Sequence, residues 1–145
     1  MTLAFVLYKY FPYGGMQRDF RRFVEQLLQR GHHCRIYCHR WEGEAIEGAE
    51  LRLVPVSALQ NHRRTQRFLR WVQADLRGDP ADAVVGFNKM PGLDIYFAAD
   101  SCYVDWALQE RGRLYRLSPR YRHFAAWERA VFEADSGTEI LLISD

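Results

Sequence analysis

The sequence lacks a run of about 20 apolar residues, the length that a membrane-spanning helix requires. Its start, MTLAFVLYKYFP, has neither a basic leader nor a small-residue cleavage site, so we expect a first buried strand there and no signal peptide. The net charge is only +2, and composition alone therefore does not indicate a nucleic-acid partner. With 48% hydrophobic residues among 145, the chain can form one folded core.

Cysteine is scarce, and no paired-thiol motif occurs. The three cysteines are Cys34, Cys38 and Cys102. Two of them fall on one predicted strand, about 13 Å apart, which is too far for a disulfide. This favours a reducing, cytosolic compartment. The five histidines have no metal-ligand spacing, and no Ser/His/Asp or Cys/His set is present, so we expect neither a metal nor a nucleophile.

Apolar segments alternate with amphipathic ones along the chain. Strands are predicted over 3–8, 34–37, 51–56, 83–87, 95–98 and 139–143, and helices over 16–30, 65–76, 103–111 and 120–134. Gly31 is expected to end the first helix. This order predicts an α/β fold, a Rossmann-like and mostly parallel sheet with helices on both faces. Residues 1–145 would form one domain, which we expect to be incomplete because another loop and helix should follow the last strand.

A glycine pair, Gly14-Gly15, lies between the first strand and the first helix. Such a loop lets the backbone approach a phosphate or a sugar, and the helix N-terminus offers N–H groups to an anion. A plain tight turn explains the same two glycines. Asp19, predicted in the first turn of the helix, either stabilises the helix dipole or accepts a hydrogen bond from a sugar hydroxyl.

Polar residues also follow the fourth and fifth predicted strands at their carboxyl ends, where open α/β sheets bind ligands. Asn88 and Lys89 are candidates for acceptor binding, with the lysine on a phosphate. A solvated loop lysine is the alternative. Asp100 is either the N-cap of the next helix or a carboxylate that faces the reaction centre.

Arginines and large rings alternate in residues 103–132. This stretch has six arginines against three acidic residues, a net charge of +3, which leaves −1 for the rest of the chain and predicts that the basic character is local. The pattern is typical of a helix at a membrane interface, although an ordinary sheet-covering helix or a nucleic-acid patch are alternatives. The candidates for membrane contact are Arg111, Arg113, Arg116, Arg120, Tyr121, Arg122, Phe124 and Trp127.

Three blocks of the sequence resemble the lipopolysaccharide core glucosyltransferase I family. They are YKYFPYGGMQRDF at 8–20, VVGFNKMPGLDIYFAAD at 84–100, and LYRL at 114–117 followed by RYRH at 120–123 and ER at 128–129. The similarity covers nearly the whole chain, and the block at 86–100 is long and specific.

The resemblance implies a two-domain enzyme of the GT-B type in glycosyltransferase family 4. This chain would be its amino-terminal, acceptor-side domain, without the carboxy-terminal, donor-binding domain. The implied reaction moves glucose from UDP-glucose to an inner-core heptose with retention of configuration and without a cofactor or metal. The implied location is cytoplasmic, peripheral on the inner face of the cytoplasmic membrane of a Gram-negative bacterium.

The resemblance also assigns roles to residues. Gly14 and Gly15 would lie beside the donor phosphates, Asp19 and Asp100 would be the catalytic candidates facing the sugar and the acceptor, and 103–132 would contact the membrane. The expected partners are a lipid-linked core oligosaccharide, an anionic membrane surface and the absent domain, and nucleic acid is not expected. Without the donor-binding half, we expect the chain alone to be inactive.

Overall fold

The computed structural model describes residues 1–98 and 102–142. Eight strands run over Thr2–Val6 (β1), Lys9–Tyr10 (β2), His33–Cys38 (β3), Arg40–Trp41 (β4), Glu50–Leu53 (β5), Ala83–Gly86 (β6), Ile95–Ala98 (β7) and Glu139–Leu142 (β8). Four α-helices run over Gly15–Gln29 (α1), Asn61–Gly78 (α2), Tyr103–Arg111 (α3) and Pro119–Phe132 (α4). A 3-10 helix, Arg113–Leu117, lies between α3 and α4.

Six strands form one sheet in the order β5-β3-β1-β6-β7-β8, and every pairing in it is parallel. The chain builds outward from β1 through β3 to β5, then returns to the other side of β1 with β6. The strand order therefore reverses between β1 and β6. In open parallel sheets this reversal opens a crevice at the carboxyl ends of the two strands.

Helices cover both faces of the sheet, and each face has its own apolar core. On one face, Phe20 and Val24 of α1 pack against strand residues such as Phe5. On the other, Phe68 of α2 and Val131 of α4 share a single cluster. The spacing of three and four residues between apolar side chains in these helices places them on one side. The predicted Rossmann-like α/β fold is confirmed.

The boundaries of the elements agree with prediction to within a few residues. Gly31 ends α1 in the left-handed conformation, with φ of +84°, as expected of a helix-terminating glycine. The short strands β2 and β4 and the 3-10 helix were not predicted. The predicted end of the last strand, Ile143, lies outside the described residues.

An ion network ties the carboxyl end of α2 to the amino-terminal side of the sheet. The buried Arg35 of β3 donates to the backbone oxygen and to Oδ2 of Asp79, each at 2.7 Å. Arg52 of β5 contacts Asp79 at 2.7 Å and also pairs with Asp75. Asp75 accepts the hydroxyl of Tyr37 at 2.6 Å. Hydrogen bonds from Tyr37 and Arg52 hold the pKa of Asp75 below its usual range, so this network stays charged near neutrality.

Candidate functional site at the carboxyl edge of the sheet

A pocket of about 340 Å³ lies at the reversal between β1 and β6. Three parts of the fold surround it: the loops after the two strands, the amino-terminal half of α2, and the layer made by α3 and α4. The lining residues are Tyr8, Asn61, Thr65, Phe68, Asn88, Lys89, Met90, Tyr103, Trp106, Phe124 and Trp127. An aromatic-walled cavity with a few polar groups at a topological switch point is the usual form of a small-ligand site.

A hydrogen bond joins the two strand ends at the floor of the pocket. The backbone N–H of Tyr8 donates to Oδ1 of Asn88 at 2.8 Å. Asn88 therefore fixes the distance between the loops that diverge from β1 and β6. Burial raises the pKa of Tyr8, while the nearby guanidinium of Arg64 opposes that rise. The ring is thus neutral, with a cation beside its hydroxyl.

Lys89 forms a buried ion pair with Glu128 of α4. Its Nζ lies 2.9 Å from Oε2 of Glu128, and the two side chains are 10% and 8% exposed. The alternative of a solvated loop lysine is therefore wrong, because the tight turn after β6 directs this residue against α4. Lys89 also lines the pocket.

Glu128 also holds the start of α3. Its carboxylate accepts the N–H groups of Tyr103 at 2.6 Å and Val104 at 3.2 Å, and the thiol of Cys102 at 3.1 Å. Burial raises the pKa of Glu128, but the bonds from Lys89, Cys102 and the two amides outweigh it, and the net shift is downward. A single carboxylate thus joins β6, α3 and α4 around the pocket.

The outer wall of the pocket consists of rings from α3 and α4. The ring of Tyr103 lies 5.2 Å from Phe124 and 5.9 Å from Trp106. Trp106 is 42% exposed at the mouth, whereas Phe124 and Trp127 are half-buried. Aromatic faces of this kind accept the apolar face of a small ligand.

His123 connects α4 to α2 beneath this wall. Its Nε2 is 2.9 Å from the hydroxyl of Thr65, and its Nδ1 is 3.2 Å from the side-chain amide of Gln66. Burial, together with the neighbouring His62, lowers the pKa of His123 to about 4. The imidazole is therefore neutral at physiological pH and serves as a packing and hydrogen-bonding group.

The glycine loop lies at the same edge of the sheet, at the start of α1. Gly14 is the N-cap, and a Cβ there would collide with the side chain of Gln17 and lie 3.2 Å from the ring of Phe11. A Cβ on Gly15 would meet nothing within 4 Å. The first glycine is thus required by local packing, and the second faces open space.

Asp19 is not brought to the pocket. It is the fifth residue of α1, which begins at Gly15, and its side chain is exposed. The first turn of α1 contains no acidic residue, so the predicted placement of Asp19 in that turn is wrong. The second catalytic candidate, Asp100, lies outside the described residues, and Cys102 holds the N-cap position of α3.

The basic and aromatic residues of 103–132 divide between two environments. The arginines are exposed, namely Arg111, Arg113, Arg116, Arg120, Arg122 and Arg129. Leu114 and Leu117 of the 3-10 helix lie among these arginines in the sequence, and they are 84% and 67% exposed. By contrast, Tyr121, Phe124 and Trp127 are half-buried. The outward surface is therefore arginine with leucine, and most of the rings build the pocket wall instead.

Among the described residues, neither a membrane-spanning helix nor a metal-binding cluster is found. No helix among residues 1–98 and 102–142 is long and apolar enough to cross a bilayer. In the same part of the chain, no group of three or more His, Cys, Asp or Glu side chains is placed to hold a metal ion. The three cysteines are free, and burial raises the pKa of Cys38 to about 11.

Sequence reasoning gave no site role to Glu128, Thr65 or His123, although His123 and Glu128 lie in the blocks that resemble the glucosyltransferase family. The partners of Glu128 lie 24 to 39 residues away along the chain, and no local pattern reports such a contact. A physical signal was also available, namely a glutamate and a histidine on the apolar side of α4, where an unpaired polar group would be unfavourable.

The fold and the position of the pocket define a class: the chain is a Rossmann-like domain that matches the amino-terminal domain of GT-B proteins. Over all 145 residues it is 54% identical to lipopolysaccharide glucosyltransferase WaaG of Escherichia coli (strain K12). It superposes with a TM-score of 0.93 on the crystal structure of WaaG, described as a glycosyltransferase involved in lipopolysaccharide biosynthesis, over 99% of this chain at 54% identity. No protein-family model matches the chain.

These similarities confirm the resemblance to the lipopolysaccharide core glucosyltransferases for the whole of this chain. The chain spans 39% of the length of the relative and of the solved structure that it matches. What the relative does as a complete protein is therefore considered below as a proposal.

Proposed function

We propose that the chain is the acceptor-side part of a retaining glycosyltransferase that moves glucose from UDP-glucose to an inner-core heptose of lipopolysaccharide. The observation that carries this proposal is 54% identity to WaaG over all 145 residues, together with a TM-score of 0.93 over 99% of the chain. The matched region includes the loops at the carboxyl edge of the sheet, where open α/β folds bind ligands, and this supports a shared site.

In this proposal the acceptor occupies the pocket between α2 and the α3–α4 layer. A sugar ring would lie against Trp106 and Tyr103 at the mouth, and Lys89 with Asn88 would bind polar substituents at the floor. Lys89 can do so as part of its pair with Glu128, because an ammonium group has three donors. The aromatic wall also excludes water from the reacting centre.

The donor would bind across the cleft, largely on the domain that this chain does not include. The contribution of this chain would be the start of α1, where N–H groups and the helix dipole favour a diphosphate. Gly15 has open space at that point, which lets a phosphate approach the backbone. The proposal requires no metal, and leaving-group charge would be stabilised by fixed dipoles and cations.

A chimera tests the proposed activity directly. Residues 1–145 replace the 145 matched residues of E. coli WaaG, and glucose transfer from UDP-glucose to core oligosaccharide is measured with and without EDTA. We expect turnover in both conditions. A folded chimera with no transfer would contradict the proposal, and loss of turnover in EDTA would contradict its metal-free part. The 145-residue chain alone is expected to give no turnover.

A matched pair of substitutions in the chimera tests the acceptor pocket. Trp106→Ala removes a ring at the mouth, and we expect KM for the acceptor to rise by about tenfold, with a smaller change in KM for UDP-glucose. Tyr13→Ala is the control, because Tyr13 is 85% exposed and does not line the pocket. Equal effects of the two substitutions on acceptor KM would refute the assignment.

A second candidate function is membrane attachment without catalysis by this part of the protein. Exposed Leu114 and Leu117 between exposed arginines favour it, because apolar groups can enter the interface while the cations meet anionic headgroups. Co-sedimentation with vesicles measures it. We expect binding that requires anionic lipid, falls with salt, and weakens in R116S/R120S/R122S; no binding to anionic vesicles would exclude attachment.

A further inference from the structure

A second basic segment precedes and begins α2. Residues 54–74 contain Arg63, Arg64, Arg67 and Arg70 but no aspartate or glutamate. The expectation that basic character is confined to 103–132 is therefore wrong, because acidic residues elsewhere in the chain hide this segment in the overall charge. Its net charge of +4 exceeds the +3 of 103–132 in fewer residues.

Three arginine side chains of this segment are exposed to solvent and form no ion pair with an acidic residue among the described residues. Arg63, Arg67 and Arg70 are exposed. Within residues 1–98 and 102–142, none of them forms an ion pair with an acid, in contrast to Arg35 and Arg52. Three unpaired guanidinium groups on one face attract anions more strongly than a mixed surface does.

The loop before α2 presents an apolar residue beside these arginines. Arg64 donates to the carbonyl of Ala58 at 2.8 Å, and Arg67 donates to the carbonyl of Ser57 at 2.5 Å. These bonds hold the loop against the helix, and Leu59 at its tip is fully exposed, at 104%. A held loop with an exposed leucine between cations has the composition of an interfacial contact.

This surface faces the same way as α4. Both α2 and α4 pack on one face of the sheet, where Phe68 and Val131 share a core cluster. They are joined side by side by the bond between Thr65 and His123. The two helices therefore belong to one layer, in which Arg122 and Arg129 of α4 are exposed as the arginines of α2 are.

We propose that Leu59, Arg63, Arg67 and Arg70, here called the α2 basic surface, contact an anionic lipid bilayer together with 103–132. The occupant is a lipid surface because the layer is broad, its α2 arginines have no acidic partner among the described residues, and single exposed leucines accompany them. The pocket opens between the two contacting helices, which would hold it at the bilayer where a lipid-borne ligand resides. This inference rests on the membrane attachment proposed above.

The test compares two variants that remove equal charge from opposite sides of the sheet. R63S/R67S/R70S alters the α2 basic surface. R18S/R22S/R30S alters three exposed arginines on or next to α1, on the other face. The full 145-residue chain is mixed with phosphatidylcholine vesicles that contain 0 or 30% phosphatidylglycerol, and the partition coefficient is measured. We expect the first variant to bind anionic vesicles about tenfold to a hundredfold more weakly, and the control to change severalfold at most.

A fluorophore reports the contact itself. Leu59→Cys is labelled with an environment-sensitive dye in a Cys102→Ser background, because Cys102 is the one other exposed cysteine. We expect a blue shift with anionic vesicles and none with phosphatidylcholine alone. If the triple variant is unfolded, R63S/R70S takes its place, because it keeps the bond between Arg67 and Ser57. We expect R63S/R70S to bind anionic vesicles measurably more weakly than the unmodified chain, though with a smaller loss than the triple variant.

The outcomes separate this inference from the proposal beneath it. If R116S/R120S/R122S loses binding while R63S/R67S/R70S matches the α1 control, the α2 basic surface is not a contact and the membrane attachment stands. If the unmodified chain does not bind anionic vesicles, both the membrane attachment and the contact through the α2 basic surface are refuted. If the α2 variant loses binding to RNA or DNA but keeps vesicle binding, the partner is nucleic acid and the inference is overturned.

Discussion

The two ends of α2 use the same residue type in opposite ways. At the carboxyl end, Asp75 of the helix and Asp79 directly after it bind Arg35 and Arg52 of the sheet, so the cations are neutralised and fixed. At the amino end, beside the pocket, exposed arginines have no acidic partner among the described residues. One edge of the sheet is thus stabilised by its charges, whereas the other keeps charges available to something outside the protein.

This difference matches the general behaviour of α/β sheets. At the amino edge, the buried Arg35 is held by protein groups, with hydrogen bonds to Asp79 and Tyr37 and with Glu50 nearby. The carboxyl edge receives ligands, so its loops retain open backbone, exposed rings and uncompensated cations. Four experiments with substituted chains test how far this difference extends.

The largest effect is expected at the amino edge. Arg35→Ala removes the bonds to Asp79 and Tyr37 and leaves a cavity where the stem of the side chain was packed. We expect the free energy of unfolding to fall by about 3 to 4 kcal/mol in urea denaturation. Arg40→Ala, at a pair in which Arg40 is 65% exposed, should change it by less than about 0.5 kcal/mol. Equal losses of stability in the two variants would show that the buried arginine contributes no more than the exposed one.

The second prediction concerns the contribution of the buried ion pair at the carboxyl edge to the stability of the fold. Glu128→Gln leaves the ammonium of Lys89 without its carboxylate, and we expect a loss of about 2 to 3 kcal/mol. Adding Lys89→Met should recover part of that loss, because the unpaired charge is removed. A double variant as unstable as Glu128→Gln would show that capping of α3, not the ion pair, is what Glu128 supplies.

The third effect concerns pH and His123. Its pKa in the folded chain is about 4, below the ordinary value of about 6.5, so the folded state binds fewer protons than the unfolded state. The stabilisation is complete above about pH 6.5 and is lost as pH falls toward 4. We expect a decrease of up to about 2 kcal/mol between pH 7 and pH 5, which His123→Gln should reduce. An unchanged pH dependence in that variant would remove His123 as its source.

The smallest effect separates the two glycines of the loop before α1. Gly14→Ala forces the buried side chain of Gln17 to move, and we expect a loss of about 1 to 2 kcal/mol. Gly15→Ala has open space and helical backbone, so we expect a gain or loss below about 0.5 kcal/mol. The same thermal denaturation experiment measures both, and the reverse order would show that the loop packs differently.

Much of the fold could be predicted because its signals are local. The continuous apolar run at β1 and the three- and four-residue spacing in α1 each report a buried face directly. Strands of two residues, such as β2 and β4, have no period to detect. They form only because the chain on either side is already held by the sheet, and Tyr10 stacks on Trp41 at 3.9 Å.

The candidate site was predicted in outline only. Asn88 and Lys89 were placed correctly because the residues after a parallel strand always reach the carboxyl edge. Phe124 and Trp127 were predicted to contact a membrane, with a sheet-covering helix as the alternative. Their place in the pocket lining was not predicted, since sequence does not say which side of a half-buried helix meets a cavity. The positive charge at the start of α2 was not predicted, because acidic residues elsewhere in the chain cancel it in the net charge.

The strand order has a consequence for how the protein forms. β1 pairs on one side with β6, and the partners Leu3 and Ala83 are 80 residues apart along the chain. At a synthesis rate of about 5 to 20 residues per second, the first strand waits about 4 to 16 seconds for this neighbour to be made. During that interval the apolar segment that becomes the middle of the sheet has one side without its strand partner, so the sheet cannot close around β1 until residue 83 and its neighbours are made.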